Sequence, residues 1–185
     1  MNGAVERRFV TVGDRQVHYR RVGSGPAVVM LHESPLSSRA YVPLAGVLAR
    51  SFTVIALDNP GFGSSDPLPQ ERPEIEDFTA ALVDTLDALG IGRAAFYGAH
   101  TGACIALELA YRHPDRVAGT LLDGLPRFSD AERERLLEHY TPRIEVRWDG
   151  THLLQAFNQR RDMKLFFPWF DKSEAARQPI TMPSP

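Results

Sequence analysis

One histidine sits where the chemistry of this chain is concentrated. Gly98-Ala99-His100-Thr101-Gly102 follows a short apolar run, Ala94 to Tyr97, and precedes a small-residue apolar run, Ala103 to Tyr111. Such runs predict a buried strand, a turn too short to hold a loop, and a buried helix. The middle residue of that turn is pushed toward positive φ, and its neighbours two places away must be small. Gly98 and Gly102 fill those places. The middle side chain then stands above the helix N-terminus, where unpaired backbone N–H groups meet developing negative charge. This is the geometry of a nucleophile elbow, whose usual Ser is here His100. Neutral imidazole is a fair nucleophile or base near pH 7.

Other polar groups fall at the ends of apolar runs. Ala27 to Leu31 ends in His32-Glu33-Ser34-Pro35, Phe52 to Leu57 ends in Asp58-Asn59-Pro60-Gly61-Phe62-Gly63-Ser64-Ser65-Asp66, and Val117 to Leu122 ends in Asp123-Gly124. Strand ends gather at one rim of an open α/β sheet, so His32, Glu33, His100, Thr101 and Asp123 are expected to meet there. Asp58 reads as a turn-former rather than a catalytic acid. The Gly61-Phe62-Gly63 stretch lacks the third glycine and the following helix of a dinucleotide site. His18, on the polar side of an alternating run, is expected at the solvated surface, and His113 at a helix C-terminus. Cys104, the one cysteine, reads as a small buried hydrophobe.

The elements that must position these groups follow from periodicity. Phe9 to Val12 and Gln16 to Arg20 flank Gly13-Asp14 as an antiparallel hairpin. From residue 27 to 123 strands alternate with helices, which predicts a mostly parallel, doubly wound sheet with right-handed crossovers. One helix is capped by Ser37 or Ser38 and runs to about Arg50, with Tyr41, Leu44, Ala45 and Leu48 on its apolar stripe. A second carries Ile75, Phe78, Leu82, Leu86 and Leu89 and stops at Gly90 and Gly92. After Pro126 the character changes. Ser129-Asp130-Ala131-Glu132 is a capping box for a charged helix, and Asp149-Gly150-Thr151 starts another, ended by Pro168. The expected division is a core at 1–126, a helical lid at 127–172 and a disordered or extended tail at 173–185. The aromatic residues between Trp148 and Phe170 either pack lid helices together or wall an apolar pocket.

Composition excludes several classes. The 185 residues are 43% hydrophobic and 24% charged with a formal net charge of -2, ordinary for a globular protein. No basic stripe argues for nucleic acid or an anionic membrane, and no stretch is long enough to span a bilayer. With no signal-like N-terminus, a cytoplasmic location is the default expectation.

The motifs carry a resemblance. Leu31-His32-Glu33-Ser34-Pro35 resembles the His-Gly-x-Pro oxyanion loop of the α/β-hydrolase superfamily. Asp58 to Ser65 is similar to its Asp-x-x-Gly-x-Gly-x-Ser turn, and Gly98 to Gly102 with His113-Pro114-Asp115-Arg116-Val117 to its elbow and helix exit. Residues 98–103 resemble a subgroup carrying Gly-x-His-Thr-Gly-Ala there. The resemblance implies an incomplete α/β-hydrolase core over about residues 9–126. The family's catalytic His follows a later strand that this chain lacks, so the chain is expected to stop within the lid. The strand ending at Asp123 then becomes an open edge and a route to self-association.

Three readings stand. In the first, the protein is a hydrolase of a small, partly apolar substrate. His100 is its nucleophile or base, Asp123 or Glu33 orients the ring, and the Thr101 and Glu33 N–H groups form the oxyanion hole. His32, Ser34, His152, Trp148 and Phe157 would line the pocket, with His32 or His152 as a proton shuttle. In the second, a degenerate hydrolase binds ligand without chemistry. In the third, His32, His100 and a carboxylate hold a metal, though their spacing matches no local metal motif. No organic cofactor is implied.

Overall fold

The computed structural model describes residues 4–139 and 144–166. They fall into two compact units, divided after Pro126. In the first unit, β1 (Glu6–Val12) and β2 (Arg15–Val22) form the expected hairpin around Gly13-Asp14. Gly13 supplies the positive φ, +63°, that a two-residue connection demands. β3 (Ala27–Leu31), β4 (Thr53–Leu57), β5 (Ala94–Ala99) and β6 (Val117–Asp123) complete one sheet of order β1-β2-β4-β3-β5-β6. β4, β3, β5 and β6 run parallel, and β2 pairs antiparallel with β4. β6 is an edge strand, as expected, and Leu121 on it is exposed.

Burial on both faces explains the unbroken apolar runs. Val29, Leu31, Ile55, Leu57 and Phe96 point to one side, under α2 (Ile75–Ala88) and α3 (Thr101–Arg112). Met30, Val54 and Ala56 point to the other, under α1 (Val42–Leu48). The α1 helix begins one turn later than the periodicity predicts, because Ser38–Tyr41 forms a 3-10 turn with Ser37 as its N-cap. Leu44, expected on the buried stripe, is exposed, while Tyr41 and Ala45 are buried. The α2 helix is opened by Glu74, whose N–H donates to the Asp77 carboxylate at 2.8 Å.

In the second unit, Ser129 and Glu132 cap α4 (Asp130–His139) as read from sequence, with Ser129 N 2.7 Å from Glu132 Oε2. The α5 helix (Thr151–Phe166) begins at Asp149-Gly150-Thr151, and Asp149 accepts the Thr151 N–H at 3.0 Å. The expected break at Thr141-Pro142, the stop at Pro168, the aromatics Phe167, Trp169 and Phe170 and the tail lie outside the described residues. No helix among the described residues is long and apolar enough to cross a membrane.

Candidate functional site

The turn between β5 and α3 is as sharp as the sequence requires. His100 has φ 46° and ψ -107°, and among the described residues it is the non-glycine with positive φ. The glycines beside it are sterically obligatory. A Cβ on Gly98 would lie 2.2 Å from the Gly102 carbonyl oxygen, and one on Gly102 would lie 2.0 Å from the Leu31 carbonyl oxygen. Strand and helix therefore meet at backbone contact, which no larger residue permits. The His100 side chain is 58% exposed. Its ring lies against Gly124, where an added Cβ would come within 3.1 Å of Nε2. The His100 N–H donates to Asp123 O at 2.9 Å, so the end of β6 holds the turn.

His100 is also the N-cap residue of α3. The first intrahelical bonds are made by Ala103 and Cys104, which donate to His100 O at 3.0 and 3.1 Å. The N–H groups of Thr101 and Gly102 precede them and have no carbonyl within the helix to reach. Cys104 is half-buried, and burial pushes its thiol up.

Two carboxylates were expected near this ring, and they part company. Glu33 Oε2 lies 3.7 Å from His100 Nε2, an ion-pair separation longer than a hydrogen bond. Asp123 was expected to orient the imidazole, but its carboxylate instead accepts the Tyr97 hydroxyl at 2.5 Å. Tyr97 is a site residue that sequence reasoning missed. Its signal was strand parity, because Tyr97 pairs with Leu121 in register and Asp123 follows two residues on, on the same face. Tyr41, also missed, packs edge-on to Tyr97 with centroids 5.4 Å apart and donates to Leu31 O at 3.1 Å.

His32 does not line a pocket. It is fully buried; Nδ1–H donates to Glu33 O at 2.8 Å, and Nε2 accepts the Asn59 N–H at 2.9 Å. Both bonds exist together only in the neutral Nδ1–H tautomer. Burial pushes its pKa down, in keeping with that neutral form. Neither ring nitrogen is left for a metal or a shuttled proton, so His32 instead fixes the loop that carries Glu33. Among the described residues no group of three or more His, Cys, Asp or Glu is placed to hold a metal ion.

His18 corrects another expectation. It is buried, not solvated, because the turn after β4 folds over the hairpin. Its Nδ1 donates to Asp58 Oδ2 at 2.8 Å, and its Nε2 accepts Arg7 Nε–H at 3.2 Å. Asp58 also accepts the N–H groups of Ser38 at 2.7 Å and Ser64 at 2.9 Å. Burial raises its pKa, but the bonds from Ser38 and Ser64 and the nearby His18 outweigh that and hold the carboxyl below its ordinary value. A Cβ on Gly63 would lie 2.0 Å from Asp58 Oδ2, so the glycine is there to admit the carboxylate.

Ser34 is half-buried beside Glu33. His152, Trp148 and Phe157 belong to the second unit. His152 Nδ1 accepts the Arg147 N–H at 3.2 Å, and Trp148 and Phe157 are exposed. The structure thus brings together Glu33, His100, Thr101 and Asp123 at the rim of the first unit.

The family model described as the alpha/beta hydrolase fold matches residues 26–151, across the loops and the sharp turn just described. The chain belongs to the alpha/beta hydrolase family. A protein of Mycobacterium phage D29 is 42% identical over 102 residues, 55% of this chain and 36% of the relative. A 2-hydroxy-6-oxo-6-phenylhexa-2,4-dienoate hydrolase of Comamonas testosteroni is 32% identical over 117 residues, covering 61% of this chain and 41% of the relative. Among solved structures, an E-2-(acetamidomethylene)succinate hydrolase superposes with a TM-score of 0.65 at 28% identity, over 73% of this chain and 50% of that one. This alpha/beta hydrolase chain spans about half or less of the length of these relatives.

Proposed function

We propose that the rim around His100 hydrolyses a small, partly apolar acyl compound such as an ester. The observation that carries the reading is His100 itself. Its exposed imidazole is carried by a residue at a strained φ of 46° at the N-cap of α3, with Glu33 Oε2 3.7 Å from Nε2. Strain of this kind persists where surrounding structure over-determines it, and it clusters at functional sites. The neutral imidazole takes a proton from a water that adds to the acyl carbonyl, or adds to the carbonyl itself. In the first route the departing alkoxide recovers the proton from the imidazolium. In the second, an acyl-imidazole forms as the alcohol leaves and water then cleaves it. In both, negative charge on the carbonyl oxygen faces the Thr101 and Glu33 N–H groups. Glu33 stabilises the imidazolium, while Asp123 supports the rim through Tyr97 and the His100 N–H. His32 and Asn59 keep Glu33 in place. Ser34, beside Glu33, is the proposed pocket wall within the first unit. Relatives named as a dienoate hydrolase and a fluoroacetate dehalogenase support bond cleavage in a small molecule.

Turnover of p-nitrophenyl acetate by wild type, His100→Ala and Glu33→Gln tests this. Loss of about a hundredfold or more in kcat/KM is expected for His100→Ala, within the usual range for an acid–base group. Rates that match wild type overturn the reading. A transient 42 Da adduct on the His100 peptide separates the nucleophilic from the base route.

One observation favours a second reading, a binding protein without turnover. No side chain among the described residues hydrogen-bonds to the His100 ring, the nearest carboxylate being at 3.7 Å. Ligand-induced stabilisation with no product formed would establish it. Either reading keeps self-association through the β6 edge as its oligomeric expectation, and sedimentation showing a monomer at every concentration would remove that expectation.

A further inference from the structure

Two carboxylates stand at the rim beside His100. Glu33 Oε2 lies 3.7 Å from Nε2, and Asp123 accepts only the neutral Tyr97 hydroxyl. Among the described residues the structure records no contact of either with Arg or Lys; the partner of Glu33 is the His100 ring and that of Asp123 is Tyr97. The two carboxylates come from different strand ends, after β3 and in β6, yet they act on the same two phenols. The Tyr97 hydroxyl is pushed up to about 12, first by its bond to Asp123, then by burial and the charges of Asp123 and Glu33. Tyr41 is raised by burial, and beyond that by Tyr97, Glu33 and Asp123. Glu33 beside the His100 ring, the Asp123 carbonyl on the His100 N–H and the Asp123 carboxylate on Tyr97 place both charges on one patch of rim, and the half-buried ring of Tyr97 lies in it.

We propose that this patch sorts substrates by charge: it prefers esters carrying a quaternary or protonated ammonium group and rejects those carrying a carboxylate, with Glu33 as the specificity-determining residue. The inference rests on the hydrolytic reading for its substrate, but not for the charge preference itself. An unneutralised carboxylate a few ångströms from a bound ion changes its local concentration in opposite directions for cation and anion. An aromatic ring beside the carboxylates suits an alkylammonium group, which binds π faces.

The test uses three matched acetate esters with the full chain: acetylcholine, its uncharged carbon isostere 3,3-dimethylbutyl acetate, and 3-acetoxypropionate. The expected order of kcat/KM is cation, neutral, anion, with about tenfold at each step, shrinking as salt rises. Glu33→Gln should reduce the cation-to-anion ratio about tenfold, and Asp123→Asn by a smaller factor. Among the described residues the Glu33 carboxylate makes no hydrogen bond, so the variant retains the loop's own contacts. A ratio near one, a preference for the anion, or a ratio untouched by Glu33→Gln overturns the proposal. Should no ester be cleaved, the His100 imidazole resonance is followed by NMR with tetramethylammonium and with trimethylacetate. A saturable shift with the cation alone sustains the charge preference while removing the hydrolytic reading. Equal shifts, a shift with the anion alone, or no shift with either removes the charge preference.

Discussion

Asp58 Oδ2 lies 2.8 Å from His18 Nδ1, and both side chains are buried. This contact joins the N-terminal hairpin to the rim, because the same carboxylate holds Ser38 at the start of the 3-10 turn and Ser64 in the turn after β4. Asp58→Ala would strand three donors at once, the buried His18 Nδ1–H and Ser38 N–H and the part-buried Ser64 N–H. A loss of about 3 kcal/mol is expected, because a hydrogen bond to a charged group contributes about 1.5–3 kcal/mol and the donors left behind lose their partner. Urea denaturation measures it, and a loss below about 1 kcal/mol would show that the hub is dispensable.

Acid sensitivity should come in two steps. His32 has its pKa lowered by burial, so below the ordinary value of about 6.5 the unfolded chain binds a proton that the folded chain refuses. Its contribution is full above that pH and is lost as pH falls below it, at no more than about 1.4 kcal/mol per pH unit. Asp58 is held below the ordinary carboxylate value. Its contribution is present above about pH 4 and is lost as pH falls through the folded value. Urea midpoints from pH 8 to pH 3 should show both steps. His32→Asn, which can still donate and accept, should flatten only the upper one.

Gly98→Ala and Gly102→Ala should each destabilise by about 3 kcal/mol or abolish folding, since the new methyl would meet backbone oxygen at 2.2 and 2.0 Å. Gly46→Ala is the contrast. It sits within α1 with nothing within 4 Å of the added Cβ, and should gain up to about 1 kcal/mol of helix propensity. Thermal unfolding of the three variants checks both directions.

The strain at His100 predicts a trade between stability and chemistry. His100→Gly should raise stability by about 1 kcal/mol, because glycine adopts positive φ without a Cβ clash. His100→Ala keeps the clash and should not gain. Equal unfolding midpoints for the two variants would mean the turn carries no strain.

Asp123→Asn should return the Tyr97 hydroxyl from about 12 toward the ordinary value of about 10, since the charged acceptor that holds its proton is gone. NMR titration of the Tyr97 ring carbons reads this directly. An unmoved titration would show that burial, not Asp123, sets the value.

The sequence by itself determined the order of strands and helices, the hairpin, the stop of α2 at Gly90, the cap of α4 and the sharp turn at His100. Each of these is a local matter of periodicity, capping chemistry or glycine placement, so a few adjacent residues suffice to specify it. The shared rim was legible too, because strand ends of a parallel sheet must emerge together. Only the tertiary structure decided which groups pair. His18 alternates like a surface residue and became buried because a turn some 40 residues away closed over it. His32 looked available until Asn59 and the Glu33 carbonyl took both its nitrogens. Asp123 went to Tyr97 rather than to His100. Hydrogen-bond partners are set by distances of about 3 Å between segments remote in sequence, and neither periodicity nor local propensity encodes those distances.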